Sequence, residues 1–161
     1  MANELLKIGL DPACVRLELK SSTRNEAIRE LVELINSKYR LKNVQEVISV
    51  IIERELKMST SLENGIAVPH GKTDIVDRVL VAVGIKQAGI NFFSADGQLS
   101  KIIILMISPL SATGPHIRCL AEIAKLMQSE PNRKKILNAK DSETIYRIMT
   151  CLLYTSPSPR D

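Results

Sequence analysis

The spacing of apolar residues predicts two consecutive helices in the first third of the chain. Thr23 and Glu26 form a capping-box pair, which predicts a helix that opens there and runs to about Lys38. Asn43 gives a similar start signal, and the helix that it opens is expected to end near Lys57. The apolar residues of this second helix match one helical face at every step: Val44, Val47, Ile48, Ile51 and Ile52.

Two strongly apolar runs, at 79–85 and 101–107, predict the central strands of a sheet. Neither run alternates apolar with polar residues, which favours strands that are covered on both faces. The Asp96-Gly97 pair between them predicts a tight turn.

Shorter strands are predicted nearer the N-terminus. Residues 14–19 alternate like a half-buried strand, and the Asp-Pro pair at 11–12 predicts a turn before them. Residues 59–64 are polar and read as a loop. A short apolar strand over 65–68 should follow and stop at Pro69, which cannot donate to a sheet ladder.

The remaining segments predict four more helices. One is short and covers 3–8, and a longer one takes Pro115 as its first residue, a position that proline favours. Pro131 opens another helix that runs to about Leu137, and the last one covers 141–149 with Ile145 and Ile148 facing inward. The helix after Pro115 is expected to bury Ile117, Leu120, Ala121, Ala124 and Met127.

This mixture of strands and helices predicts an α/β fold with one domain over residues 1–150. We expect a central, mixed β-sheet of about five strands that is flanked by helices on both faces. Residues 151–161 end in two Ser-Pro pairs without apolar periodicity. They predict a disordered tail, which could be a cloning or read-through product foreign to the domain.

Composition narrows the classes of function. The 161 residues are 45% hydrophobic but only 3% aromatic, and the net charge of +4 comes from interspersed charges without a basic block. Base stacking and nucleic-acid binding are therefore disfavoured. No apolar run approaches the roughly 20 residues of a membrane helix, and the N-terminus lacks the pattern of a secretory signal. Three separated cysteines (Cys14, Cys119 and Cys151) indicate reduced thiols, and thus a cytoplasmic protein without a structural zinc site.

Both histidines of the chain stand at unusual positions. His70 follows the predicted strand end at Pro69, and Gly71 leaves room for a ligand beside the imidazole; a surface-loop histidine is the plain alternative. His116 lies in the first turn of a predicted helix, where free amide groups and the helix dipole attract phosphate and disfavour imidazolium. An incidental polar residue would fit that position equally well.

A third candidate is Arg54, which borders the apolar stripe of its helix and could extend a guanidinium onto a phosphate. An arginine whose stem simply covers the core edge is the alternative. Asp74 and Asp77 could orient the His70 imidazole, although solvated loop charges are the commoner explanation. The chain contains no phosphate-binding GxxxxGK[ST] loop, no GxGxxG fingerprint and no GxSxG elbow.

Three motifs favour a functional role for His70, His116 and Arg54 over the plain alternatives. They are TSLENGIAVPHGK at 60–72, PHIRCLA at 115–121 and IEREL at 52–56. Together they resemble the site signatures of the IIA component, fructose/mannitol class, of the bacterial phosphoenolpyruvate-dependent sugar phosphotransferase system, a class that includes nitrogen-regulatory IIA proteins. The segments GINF at 89–92 and DGQ at 96–98 are also similar. The similarity extends over about 4–149 in one colinear block.

The resemblance implies a phosphoryl carrier. It makes His70 the phosphorylated nucleophile, with His116 and Arg54 stabilising the phosphate, and it implies neither a cofactor nor a metal. The donor would be phospho-HPr or its nitrogen-branch counterpart, and the acceptor a IIB component during sugar uptake. The alternative is a nitrogen-type regulator whose phosphorylation state controls binding to transporters or kinases. A domain cut from a larger transporter or transcription regulator is a third possibility.

A partner surface is expected around His70. An apolar ring would suit transient docking, which need bury no more than about 1,200 Å². Core packing explains Ile66 and Ile90 equally well, and only one of the adjacent Phe92 and Phe93 can face inward in an extended segment. The candidate ring residues are Leu62, Ile66, Ile90, Phe92 and Phe93.

Overall fold

The structure is a computed structural model that describes residues 3–151. In these residues a mixed sheet of six strands is flanked by six helices. The helices are α1 (Glu4–Gly9), α2 (Arg24–Tyr39), α3 (Val44–Lys57), α4 (Thr113–Gln128), α5 (Glu130–Leu137) and α6 (Ser142–Thr150). The strands are β1 (Leu10–Arg16), β2 (Ser61–Leu62), β3 (Ile66–Ala67), β4 (His70–Lys72), β5 (Leu80–Ile90) and β6 (Ser100–Ser108). The α/β class is confirmed, with one strand more than the expected five.

The antiparallel pair β5 and β6 forms the centre of the sheet. Burial along both strands is nearly continuous, as the lack of alternation predicted. Strand β1 lies parallel to β5 at one edge. On the other side of β6, β3 pairs with Ile102 and Ile103, and β4 pairs with the stretch from Met106 to Ser108. Two short strands therefore follow each other along one edge of β6, with Pro69 between them.

The helix start signals in the sequence are confirmed. The Thr23 side chain accepts a hydrogen bond from the Glu26 amide at 3.3 Å, and the Glu26 carboxylate accepts one from the Thr23 amide at 3.2 Å. The Asn43 side chain caps α3 through the Glu46 amide at 3.1 Å, and α3 ends at Lys57 as expected. Helices α1, α5 and α6 also lie within one or two residues of their predicted positions.

The turn predicted at 11–12 is wrong, because β1 runs through this pair. Leu10 and Val15 pair with Val81 and Val83 of β5, so the segment between them bulges out of the ladder. A proline is tolerated there because β1 is an edge strand and the bulge needs no amide from Pro12.

Two short strands lie where none was predicted. Strand β2 falls inside the polar segment 59–64 and pairs antiparallel with β3. His70 begins β4, whereas the sequence placed it just beyond a strand end. Both strands are too short to show a periodicity, and they exist because β3 and β6 offer free edges for pairing.

The buried face of α4 differs in part from the predicted one: Met127 is buried and Leu120 packs against the core as expected, whereas Ala121 is exposed. The helix begins at Thr113, so Pro115 is its third residue, and Ile117 is 59% exposed. The buried stripe begins with His116 and Cys119 and continues through Ile123, Leu126 and Met127. Counting apolar residues favoured Ile117 and missed a stripe whose first member is a hydrogen-bonded histidine. The predicted tail at 151–161 lies outside the described residues except for Cys151.

Candidate active site

His70 opens β4 and turns one ring nitrogen toward its own backbone. Its Nδ1 lies 2.7 Å from the carbonyl oxygen of Val68. A carbonyl can only accept, so Nδ1 carries the proton and Nε2 keeps its lone pair. Burial lowers the pKa of His70; the bond to Val68 opposes this, and the Arg54 charge lowers the pKa further. The ring is therefore neutral at neutral pH, with Nε2 available as a nucleophile.

His116 faces this ring from the first turn of α4. The two ring centroids lie 5.4 Å apart, with their planes tilted by 57°. His116 is 7% exposed, and its Nδ1 lies 2.8 Å from the hydroxyl oxygen of Ser108 at the end of β6. Burial, then His70 in its protonated form, and then the charges of Lys72 and Arg54 lower the pKa of His116 to about 4. His116 is thus a neutral imidazole.

Arg54 approaches the same place from the last turn of α3. Its Nη1 donates to the carbonyl oxygen of Met58 at 2.9 Å, which ties the guanidinium to the C-terminal end of the helix. The side chain is half-buried, as expected for an arginine at the border of the apolar stripe. One donor group of the planar fork is used in this way, and the others remain to bind an anion.

A cavity of about 350 Å³ joins these three residues. The structure thus brings together all three candidates that the sequence singled out. The wall also contains two lysines, so the cavity presents three cationic side chains against the single carboxylate of Glu53. The residues that line it are Val50, Glu53, Arg54, Lys57, His70, Gly71, Lys72 and His116.

Lys72 and Ser108 are site residues that the sequence analysis missed. Lys72 lies two positions after His70 on β4, so both side chains share one face of the strand. Its Nζ donates to the hydroxyl of Thr113 at the start of α4, at 3.3 Å. This alternation could have been found in the sequence, had β4 been recognised as a strand. The contact of Ser108 with His116 has no local sequence signal.

A buried carboxylate fixes the segment that carries His70. Glu55, 2% exposed, accepts hydrogen bonds from the Thr60 amide at 2.9 Å and from the Thr60 hydroxyl at 2.5 Å. The carbonyl of Thr60 in turn accepts from the Val68 amide at 3.2 Å. Since Val68 holds the His70 ring, a continuous chain of hydrogen bonds runs from α3 to His70.

The structure tests two expectations about the surroundings of His70. Gly71 lines the cavity beside His70 and also gives room to α3, since a Cβ there would lie 2.8 Å from Val50 Cγ1 and 3.2 Å from Ile51 Cγ1. Asp74 and Asp77 do not orient the His70 imidazole, because Val68 does. These aspartates line a different cavity of about 410 Å³.

The expected apolar ring is only partly present. Ile66, Ile90 and Phe92 are buried in the core, so packing explains them. Leu62 is 38% exposed and Phe93 is 61% exposed, which confirms that only one of the adjacent phenylalanines faces inward. Other large apolar side chains are exposed close in sequence to the site residues. They are Leu56, Met58 and Ile117.

Within residues 3–151, no cluster of three or more His, Cys, Asp or Glu side chains is arranged to hold a metal ion. The described helices also include none with the length and apolar character needed to cross a membrane. The cavity presents two imidazoles and three cationic side chains beside the carboxylate of Glu53, an arrangement that suits an anionic group.

Comparison with known proteins identifies the class. The family "Phosphoenolpyruvate-dependent sugar phosphotransferase system, EIIA 2" matches residues 9–151, and the chain belongs to this family. The fructose-specific EIIABC component of Bacillus subtilis is 28% identical over 84% of this chain, which spans only 21% of that relative. The nitrogen regulatory protein of Bradyrhizobium diazoefficiens is also 28% identical, over 86% of this chain and 90% of its own length.

A solved structure supports the same fold. The nitrogen regulatory protein IIA-Ntr of Neisseria meningitidis superposes with a TM-score of 0.84 at 22% identity, covering 91% of this chain and 99% of its own. The resemblance inferred from the three motifs is thereby confirmed at the level of the family and of the fold.

Proposed function

We propose that this chain is a phosphoryl carrier that takes the phosphoryl group of phospho-HPr, or of its nitrogen-branch counterpart, onto Nε2 of His70. The observation that carries the proposal is the state of the His70 ring. Its Nδ1 is bonded to Val68, and the ring lines a cavity that also contains Arg54, Lys72 and His116. The reactive nitrogen is thus selected by the backbone, and a bound phosphoryl group would meet positive charge.

The transfer needs no net movement of a proton in this site. The lone pair of His70 Nε2 forms the new N–P bond while the donor's N–P bond breaks and its electron pair returns to the donor imidazole. The product ring is positively charged and keeps its proton on Nδ1, where the Val68 carbonyl accepts it. This hydrogen bond strengthens as charge develops on the ring, so the backbone stabilises the phosphorylated state.

The cationic wall would hold the phosphoryl oxygens. Transfer proceeds through a loose transition state with charge spread over three oxygens, so catalysis depends on positioning and charge. Arg54 would provide planar donors, Lys72 a point charge, and His116 a hydrogen bond from its neutral ring. Reversible transfer also needs the intermediate to remain labile, a requirement that the N–P bond of phosphohistidine meets.

Onward transfer in the carrier proposal goes to a cysteine of a IIB component during sugar uptake. The thiolate forms an S–P bond, and the N–P electron pair returns to His70. Membership of the family and the fructose-specific EIIABC relative support this role. The exposed side chains of Leu56, Met58 and Ile117 are available for a transient, partly apolar interface in the cytoplasm.

A regulatory role is the second candidate, and the nitrogen regulatory relative and the superposition on IIA-Ntr favour it. The fructose-specific and nitrogen regulatory relatives are equally identical to this chain, so identity does not separate the two roles. In a regulator, the phosphate on His70 would change the charge of the cavity mouth and thereby the affinity for a transporter or kinase.

Labelling with radioactive phosphoenolpyruvate, enzyme I and HPr of either branch tests both roles. A carrier passes label from His70 to a IIB protein, with loss of label from this chain. A regulator retains the label beside IIB and captures a transporter or kinase in one phosphorylation state only. A chain that takes no label from either donor, or whose His70→Ala variant is still labelled, would overturn the proposal.

A further inference from the structure

Ser108 is the buried partner of the second histidine. It is the last residue of β6, with 0% exposure, and its Oγ lies 2.8 Å from Nδ1 of His116. The backbone carbonyl of Ser108 is separately engaged, because it accepts from the Thr73 amide at 2.9 Å. The hydroxyl is therefore held at the junction between the sheet and the loop that leads into α4.

The hydroxyl bears on where the proton of the His116 ring lies. A hydroxyl has one hydrogen to donate, and a buried polar group is almost always hydrogen-bonded. In the described part of the chain, His116 Nδ1 is the partner that Ser108 Oγ has. Because the ring is neutral, one nitrogen accepts and the other carries a hydrogen. If Ser108 donates to Nδ1, then Nε2 of His116 is the protonated nitrogen.

We propose that Ser108 is a positioning residue that holds His116 in the Nε2–H tautomer, so that His116 donates a hydrogen bond to the phosphoryl group on His70. The two facing imidazoles then have complementary states. His70 has its proton on Nδ1 and reacts through Nε2, and His116 has its proton on Nε2 and stabilises the product. The tautomer rests on the contact between Ser108 and His116 and on the neutral state of the ring, whereas the donation to phosphate rests on the proposed function.

The opposite tautomer would work against transfer. With the proton on Nδ1, His116 would direct the Nε2 lone pair at a phosphoryl oxygen and repel it. A neutral imidazole without a fixed partner populates both forms, so part of the protein would hold the unproductive one. An equal mixture would leave half of the protein competent, which corresponds to about a 2-fold lower rate of transfer.

Nitrogen NMR of the histidine rings tests the tautomer without any phosphate donor. In the wild-type chain we expect a protonated Nε2 and an unprotonated Nδ1 on His116 near neutral pH. Ser108→Ala should give a mixture of tautomers. The matched control is Ser100→Ala, since Ser100 lies on the same strand, is 1% exposed, and its hydroxyl has no hydrogen-bond partner among residues 3–151. That control should leave the His116 signals unchanged.

The rate of phosphoryl transfer tests the second part of the proposal, which is the hydrogen bond from His116 to the phosphoryl group. Ser108→Ala should accept label about 2-fold more slowly, and Ser108→Thr, which keeps the hydroxyl, should recover most of the rate. Wild-type His116 with its proton on Nδ1, or an unchanged tautomer in Ser108→Ala, would overturn the proposal. A wild-type rate in Ser108→Ala would overturn the link to phosphate. A wild-type chain that accepts no phosphate but shows the expected tautomer would instead refute the proposed function.

Discussion

Val68 and His70 flank a proline, and the carbonyl oxygen of Val68 accepts a hydrogen bond from Nδ1 of His70 at 2.7 Å. Pro69 makes this contact possible, because it has no amide to pair and ends β3 before β4 begins. The Pro69 carbonyl still accepts from the Met106 amide at 3.0 Å, which keeps the segment fixed to β6. A break between two short strands thus engages Nδ1 of His70 and leaves Nε2 with its lone pair.

Replacing Arg54 by lysine tests the need for a planar donor. The charge is preserved but the fork is lost, so we expect the rate of phosphoryl acceptance to fall about 10-fold or more. Arg29→Lys on the exposed side of α2 is the control and should keep the wild-type rate. Equal rates in the two variants would remove Arg54 from the site.

The low pKa of His116 predicts a particular dependence of stability on pH. Because this pKa is about 4 against an ordinary 6.5, the unfolded chain binds more protons between these values. The free energy of unfolding should therefore fall on acidification through this window, by roughly 2 kcal/mol after allowing for water at the cavity mouth.

Urea denaturation of the wild type and of His116→Gln isolates this contribution from the carboxylates that also titrate in acid. The variant should lose less stability across the same window. Parallel losses in the two proteins would show that His116 is charged in the folded state.

Gly71→Ala tests how closely β4 packs on α3. The new Cβ would lie 2.8 Å from Val50 Cγ1, so we expect a loss of about 1–3 kcal/mol in stability and slower transfer from a displaced His70. Gly114→Ala in the first turn of α4 is the matched control, because a Cβ there meets no atom within 4 Å. It should change stability by less than about 1 kcal/mol. Thermal denaturation measures the stability of both variants, and labelling measures their rates of transfer. Equal effects in the two variants would contradict the close packing of β4 on α3.

Thr60→Val tests the chain of hydrogen bonds that begins at Glu55. The substitution keeps the shape but removes the hydroxyl that donates to the buried carboxylate, which should cost about 2 kcal/mol of stability. Chemical denaturation measures the loss. Thr113→Val at the exposed start of α4 should stay within about 0.5 kcal/mol of the wild type. A Thr60→Val protein as stable as the wild type would show that the amide bond alone satisfies Glu55.

The helices were predictable because their signals are local. Thr23 and Asn43 mark helix starts through side chains that cap within three residues, and the structure keeps both caps. Strands β5 and β6 were also predictable, because their long apolar runs are local signals of a strand that is buried on both faces. Strand β4 was not predictable, because it has three residues and depends on pairing with the far end of β6.

The meeting of His70, His116 and Arg54 also depends on the tertiary fold. No spacing in the sequence brings α3, β4 and α4 together, and the expectation came from the resemblance of three motifs. Lys72 escaped notice because β4 was missing from the prediction. The face of α4 was assigned wrongly because His116 joins the buried stripe through a hydrogen bond that only the folded chain supplies.

The central claim is that His70 Nε2 accepts the phosphoryl group. The direct measurement is nitrogen and phosphorus NMR on the ¹⁵N-labelled chain after phosphorylation by phospho-HPr of either branch. We expect the wild type to carry one phosphoryl group, bonded to Nε2 of His70. The His116→Ala variant should acquire the same group at a lower rate. A phosphoryl group on Nδ1 of His70, on His116 or on any other residue would contradict it.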